Sequence, residues 1–76
     1  MRKPLRSKNH QRLLKLLLRT RKDARLTQQE VADRLKRPQS FVAKYEGGER
    51  RLDVLEFIAV AKALGADPVQ LLSEIV

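Results

Sequence analysis

The residues with the clearest capacity for specific chemistry are Gln39, Ser40 and Lys44. They occupy the opening of a short helical pattern that begins at Pro38 and its next turn. The chemistry they suit is hydrogen bonding to the base edges of a duplex. A glutamine amide pairs in two-pronged fashion with N6 and N7 of adenine, a serine hydroxyl serves as donor or acceptor, and a lysine favours O6 and N7 of guanine. Val42 and Tyr45 fall on the other side of the same pattern, so reading residues and core residues separate on one helix. Covalent chemistry finds no such grouping. There is no cysteine, which removes disulfides, thiolates and Cys-based zinc sites together. The one histidine, His10, stands among polar and basic residues without an acidic or second imidazole neighbour and reads as a solvated group. Glu30, Asp53 and Glu56 are accounted for as helix caps, and no pair of carboxylates shares a base or metal partner. No enzyme activity, metal site or cofactor is expected.

The elements that must position these residues follow from apolar spacing and start and stop signals. A first helix spans about 7–24, with Leu13, Leu14, Leu17 and Leu18 at helical spacing and Arg12, Lys15, Arg19 and Lys22 on most of the other face. Thr27 followed by Glu30 is a capping-box pair that starts a second helix over 27–35, in which Ala32 suits a close helix crossing. Pro38 cannot continue that helix but suits the first position of the next. A third helix is therefore expected over 38–46, closed by Gly47-Gly48. Phe41 either packs at the edge of the core or faces a thymine methyl. Asp53 and Glu56 open a fourth helix whose Leu55, Phe57, Ile58, Ala61 and Leu64 supply core, with Gly65 closing it. Asp67, Pro68 and a reciprocating Gln70 open a fifth, containing Leu71, Leu72, Ile75 and Val76. The expected fold is all-α: a compact five-helix domain over 7–76 with a helix-turn-helix at its centre, preceded by a basic arm over 1–6.

Charge narrows the partner. The chain holds 17 Lys and Arg against 9 Asp and Glu. Residues 1–51 carry 16 of those cations and 5 of the acids, and the sign reverses over the rest. Such asymmetry points to a polyanion on one side. With only three aromatic residues, binding of single strands by base stacking is poorly supplied. Arg37, Arg50 and Arg51 flank the third helix and are expected on phosphate rather than merely solvated, whereas Arg2, Lys3 and Arg6 of the arm are expected to add diffuse attraction rather than insert into a minor groove. No apolar run approaches the ~20 residues that span a bilayer, and "LLKLLLR" is interrupted by Lys15 and lacks a cleavage site. A soluble cytoplasmic protein is the expectation. The basic, amphipathic first helix also admits a membrane-surface reading, disfavoured because its leucines are needed as core.

The ordered set "LTQQEVADRL…RPQSFVAKYEGGERRLDVLEFIAVAKALGADP", across roughly 12–75, resembles the Cro/repressor-type helix-turn-helix regulators, also called lambda-repressor-like or Xre-like. The resemblance implies five helices with the third as recognition helix. It places Gln28 where it contacts phosphate and braces Gln39, Ala43 where a small side chain passes close to the groove, and Arg21 and Glu46 as a structural pair joining the first helix to the end of the third. Two departures stand out. The family often has glycine where this chain has Arg25 and Lys36; either both sites take a left-handed backbone, at a cost on the order of 1 kcal/mol each relative to glycine, or the two turns adopt another geometry. The function implied is a sequence-specific, double-stranded-DNA-binding transcriptional regulator of repressor or controller type, prokaryotic or phage-like. It would act as a homodimer on a palindromic operator, with Leu72, Ile75 and Val76 as dimer contacts. The alternative is an antitoxin or other protein-interaction module of the same fold with a small protein partner.

Overall fold

Side chains that satisfy the free backbone N–H groups of each helix's first turn determine where four of the five helices begin. In the computed structural model, which describes residues 7–76, Ser7 caps α1 (Lys8–Asp23) by accepting from His10 N at 3.1 Å. Thr27 and Glu30 form a reciprocal capping box on α2 (Gln28–Leu35), as do Asp53 and Glu56 on α4 (Val54–Ala63). Asp67 caps α5 (Pro68–Ser73) through Val69 N. The exception is α3 (Gln39–Glu46), whose cap position is Pro38 with no side-chain hydrogen bond. Pro38 therefore stands one residue earlier than the first helical position expected of it. Its φ of −62° suits either place, but its ψ of 150° is extended and turns the chain from α2 into α3. The arm expected over 1–6 lies outside the described residues.

The ends of α1 to α4 share one device. In each, a residue with positive φ donates its N–H to the carbonyl three residues back, and the next residue donates to the carbonyl five back. The pairs are Arg25→Lys22 with Leu26→Arg21, Lys36→Asp33 with Arg37→Ala32, Gly48→Tyr45 with Glu49→Lys44, and Gly65→Lys62 with Ala66→Ala61. This is the Schellman motif, whose left-handed residue is usually glycine. Two of the four positions here are Arg25 (φ 59°) and Lys36 (φ 57°). The left-handed backbone weighed for both departures is therefore present.

Between these ends lies a core of Leu17, Val31, Ala32, Val42, Tyr45, Val60 and Ala61, with Phe41, Phe57, Ala63, Leu64 and Leu71 around it. α2 packs against α3 and α4 with Val31 and Ala32 buried, and Arg34 Nη1 donates to the Ala63 carbonyl at 2.8 Å, fastening α2 to an orphan acceptor at the end of α4. Leu13 and Leu16 pack against the core, while Leu14 and Leu18 are half-buried. Leu55, expected in the core, is 77 % exposed. The buried stripe of α4 is Phe57, Val60 and Ala61, continued by the C-cap Leu64 at spacing i, i+3, i+4 and i+7, and Leu55 lies off it. Gln70 is exposed and does not complete a capping box; its carbonyl accepts from the Ser73 hydroxyl. Ile75 and Val76 follow α5 in a turn rather than continuing the helix.

Because the left-handed turns tolerate arginine and lysine only with strain, Arg25→Gly and Lys36→Gly should each raise the unfolding free energy by about 0.5–1 kcal/mol. Urea denaturation checks this, and a drop in stability for either variant would show that the cation makes a stabilising contact exceeding its backbone penalty.

Candidate nucleic-acid interface

A run of side-chain hydrogen bonds links three helices and ends at the first residue of α3. Arg21 of α1 donates from Nε to Glu46 Oε2 at 2.7 Å and from Nη2 to Glu46 Oε1 at 3.1 Å, while its Nη1 reaches the Leu26 carbonyl at 2.9 Å. The two side chains are only 12 % and 6 % exposed. Glu46 Oε1 also accepts from Gln28 Nε2 at 2.8 Å, and Gln28 Oε1 accepts from Gln39 Nε2 at 2.5 Å. The order of donors and acceptors is forced. An ionised carboxylate only accepts, so Gln28 must turn its amine to Glu46 and its oxygen to Gln39. Gln39 in turn must donate one N–H inward. Its second N–H and its Oε1 remain, the donor and acceptor that an adenine edge requires. The hydrogen bonds to Glu46, with its charge, hold the Arg21 guanidinium above its ordinary pKa against the opposing effect of burial.

Beneath this run lies Tyr45, whose hydroxyl is buried with no hydrogen-bond partner among the described residues. Burial, reinforced by the Glu46 carboxylate and only partly opposed by Arg21, raises its pKa and keeps it neutral.

The opposite edge of α3 is built around Phe41, 7 % exposed and edge-on to Tyr45 with ring centroids 5.6 Å apart. Two guanidinium carbons lie over its ring, Arg37 at 4.1 Å and Arg50 at 4.9 Å from the centroid. Both arginines share Glu56. Arg50 binds it in two-pronged fashion at 3.0 and 2.8 Å, and Arg37 reaches it at 3.4 Å. Arg50 Nη1 additionally donates to the Arg51 carbonyl at 2.7 Å. The hydrogen bonds from Arg50 and then from the Asp53 backbone hold the Glu56 carboxyl below its ordinary pKa. Phe41 is thus a packing platform, which decides between the two readings the sequence left open. The sequence also accounted for Glu56 only as a cap. Its second role was hidden because Arg37, Arg50 and Glu56 meet only once α2, the loop after α3, and α4 are folded together.

Between these edges, Gln39, Ser40 and Lys44 are exposed and Ala43 is half-buried on the same arc of α3, opposite Val42 and Tyr45. An open groove on the α1–α2 side is lined by Lys22, Arg25, Gln28, Gln29 and Gln39. Leu72 (49 % exposed) and Ile75 border an apolar groove with Leu13, Val54 and Phe57, whose rim includes Arg51, and Val76 is 97 % exposed. Among the described residues no His, Cys, Asp and Glu group could hold a metal ion, and no helix is long and apolar enough to cross a membrane.

A carboxyl whose folded pKa is depressed contributes stability above its unfolded value and loses it as pH falls through the folded value. Glu56→Gln, which keeps an N3 residue able to complete the capping box, should therefore be less stable than the parent at pH 7. The difference should shrink as pH drops below the ordinary glutamate range. Chemical denaturation of both proteins across that range checks it, and a pH-independent difference would rule the Arg37–Arg50–Glu56 cluster out as its source.

Comparison with known proteins agrees with this geometry. A family described as a helix-turn-helix domain matches residues 12–73. A solved structure described as an XRE-family like protein from Pseudomonas syringae pv. tomato str. DC3000 is similar with a TM-score of 0.87 and 54% sequence identity, covering 88% of this chain and 82% of that one. No curated protein matches. With the corner, the braced glutamine and these likenesses in agreement, the chain belongs to the Xre-like helix-turn-helix family.

Proposed function

We propose that the protein is a sequence-specific regulator that inserts α3 into the major groove of duplex DNA and acts by occupying an operator, as a repressor or controller. The observation that carries this reading is the forced orientation of Gln39. An exposed amide at the first turn of a helix is common, but one whose donor and acceptor are assigned through Gln28 and Glu46 by a mostly buried ion pair is prepared to read a base edge. Gln39, Ser40 and Lys44 make the base contacts, and Ala43 allows close approach. Gln28 contacts backbone phosphate beside its brace to Gln39. Arg51 does so from the loop, while Arg37 and Arg50 exchange part of their hold on Glu56 for phosphate.

One helix in one groove gives a small contact, so the active species is a homodimer on a palindromic operator, with half-sites about 34 Å apart. Leu72, Ile75 and Val76 provide the joining surface, and the exposure of Leu72 and Val76 beside an apolar groove supports that assignment.

Selection from a random duplex pool should yield a palindrome. On that site Gln39→Ala should reduce discrimination at one base pair by ~1–3 kcal/mol, whereas Arg51→Ala should weaken all duplexes alike. An unchanged base preference for Gln39→Ala would remove Gln39 from the reading role. Binding should also weaken with salt, with a log–log slope of about −0.9 for each phosphate neutralised. A flat salt response in fluorescence titrations would contradict the whole reading.

A further inference from the structure

α1 carries a charge pattern that neither the core nor the reading helix uses. Lys8, Arg12, Lys15, Arg19 and Lys22 recur at separations of four, three, four and three residues, which places all five on one face of the helix. At ~1.5 Å rise per residue the stripe is about 21 Å long. All five side chains are exposed, and none forms an ion pair among the described residues. The nearby acids are Glu74, which with Ile75 of the proposed joining surface lines a groove beside Arg12, Lys15 and Arg19, and Asp23 at the helix end.

An ordinary solvated helix face mixes its signs. α2 does so with Gln29 on Asp33, Glu30 in its cap, and Arg34. On α1 each cation instead has another cation as its neighbour along the stripe, an arrangement that destabilises a helix. Lys8 also sits in the first turn, where the helix dipole disfavours positive charge. Nothing in folding calls for this pattern.

We propose that the α1 stripe is a second, sequence-independent binding surface for duplex DNA, so that a protein seated on its operator through α3 holds another DNA segment on α1. Three features select this occupant. The apolar side chains beside its centre, Leu16 and Ile75, are both partly buried, whereas a protein partner needs exposed aromatic or apolar anchors at the core of the contact. An anionic membrane would draw on the leucines of α1, but Leu17 is buried and Leu13 and Leu16 pack against the core. A duplex carries one charge per ~1.7 Å of axis and is held without sequence by phosphate neutralisation alone, which a straight row of cations supplies.

The second segment is separate from the operator. α1 meets α3 through Arg21 and Glu46, and the stripe lies on the far side of α1 from Arg21 and Leu17. The reading residues Gln39, Ser40 and Lys44 lie on the side of α3 away from its core residues. The domain measures 35 × 25 × 21 Å, far too little to bend a duplex of ~150 bp persistence length back over itself. Lys22 borders the groove beside Gln39 and marks where the two surfaces approach each other.

The test uses the full chain saturating an immobilised, selected operator duplex, to which a labelled random-sequence duplex is added. The parent protein should capture the second duplex, and its affinity should fall by roughly 500-fold from about 50 to 200 mM salt for five neutralised phosphates. The combined variant Lys8→Gln, Arg12→Gln, Lys15→Gln, Arg19→Gln should lose capture by at least about tenfold at the lower salt, since four of the five contacts are gone. Its operator binding should stay within about threefold of the parent, and its helix content and melting temperature should not fall. If that variant loses helix, Lys15→Gln with Arg19→Gln alone should still flatten the salt slope by about 1.8. No capture by the parent, equal capture by the variant, or a parallel loss of operator binding would each overturn the proposal, as would binding to phosphatidylserine vesicles but not to duplex. Stripe-dependent binding of random duplex by a protein that selects no operator would sink the operator reading and support this one.

Discussion

The Arg21–Glu46 ion pair is the constraint on which the orientation of Gln39 at the start of α3 depends. It joins α1 to the last residue of α3, and its arginine also closes on the Leu26 carbonyl at the turn into α2. A mostly buried ion pair is a poor source of net stability, because removing both charges from water offsets most of their attraction. Its consequence here is orientation. Both oxygens of Glu46 are assigned, so Gln28 has one way to lie, and Gln39 inherits that choice. A charge inside the domain thereby sets the hydrogen-bond polarity of a side chain on its surface, with no flexible group left undetermined between them.

The second edge of α3 works differently. Arg37 and Arg50 lie over the ring of Phe41 and share one carboxylate, Glu56, which also closes the cap of α4. Stacking and ion pairing hold both guanidiniums beside α3, so on the proposed reading less side-chain freedom would be lost on binding phosphate. The same carboxylate is a local negative charge that a phosphate bound there would have to displace or outcompete. The edge is therefore ordered and partly neutralised, while Lys44 on the exposed arc of α3 has no ion pair among the described residues.

Local signals made most of the fold legible. Thr27 with Glu30 and Asp53 with Glu56 each need only residues three apart to be read as helix starts, and both boxes form. The two departures from glycine, Arg25 and Lys36, are left-handed because the Schellman ends of α1 and α2 demand it, whatever residue stands there. What escaped depended on other elements. Leu55 is as apolar as Phe57, and only the packing of α4 against α2 shows that the buried stripe runs through Val60 instead. Pro38 differs from expectation by one residue because proline's fixed φ suits both the cap and the first helical position, and only ψ distinguishes them. Of the site, the exposed arc Gln39, Ser40 and Lys44 follows from helical spacing. The meeting of Arg37, Arg50, Phe41 and Glu56 does not, since no spacing rule joins the end of α2 to the start of α4.

The central claim is that Gln28 transmits the orientation of Glu46 to Gln39, and a double-mutant cycle tests it most directly. Discrimination between the selected operator and the same site altered at the base pair read by Gln39 would be measured for the parent, Gln28→Ala, Gln39→Ala and the double variant. The braced arrangement predicts a coupling of about 1 kcal/mol, within the range typical of contacting residues, with Gln28→Ala eroding base preference only while Gln39 is present. Additive effects of the two substitutions would contradict it, leaving Gln28 a phosphate contact and Gln39 an unaided reader.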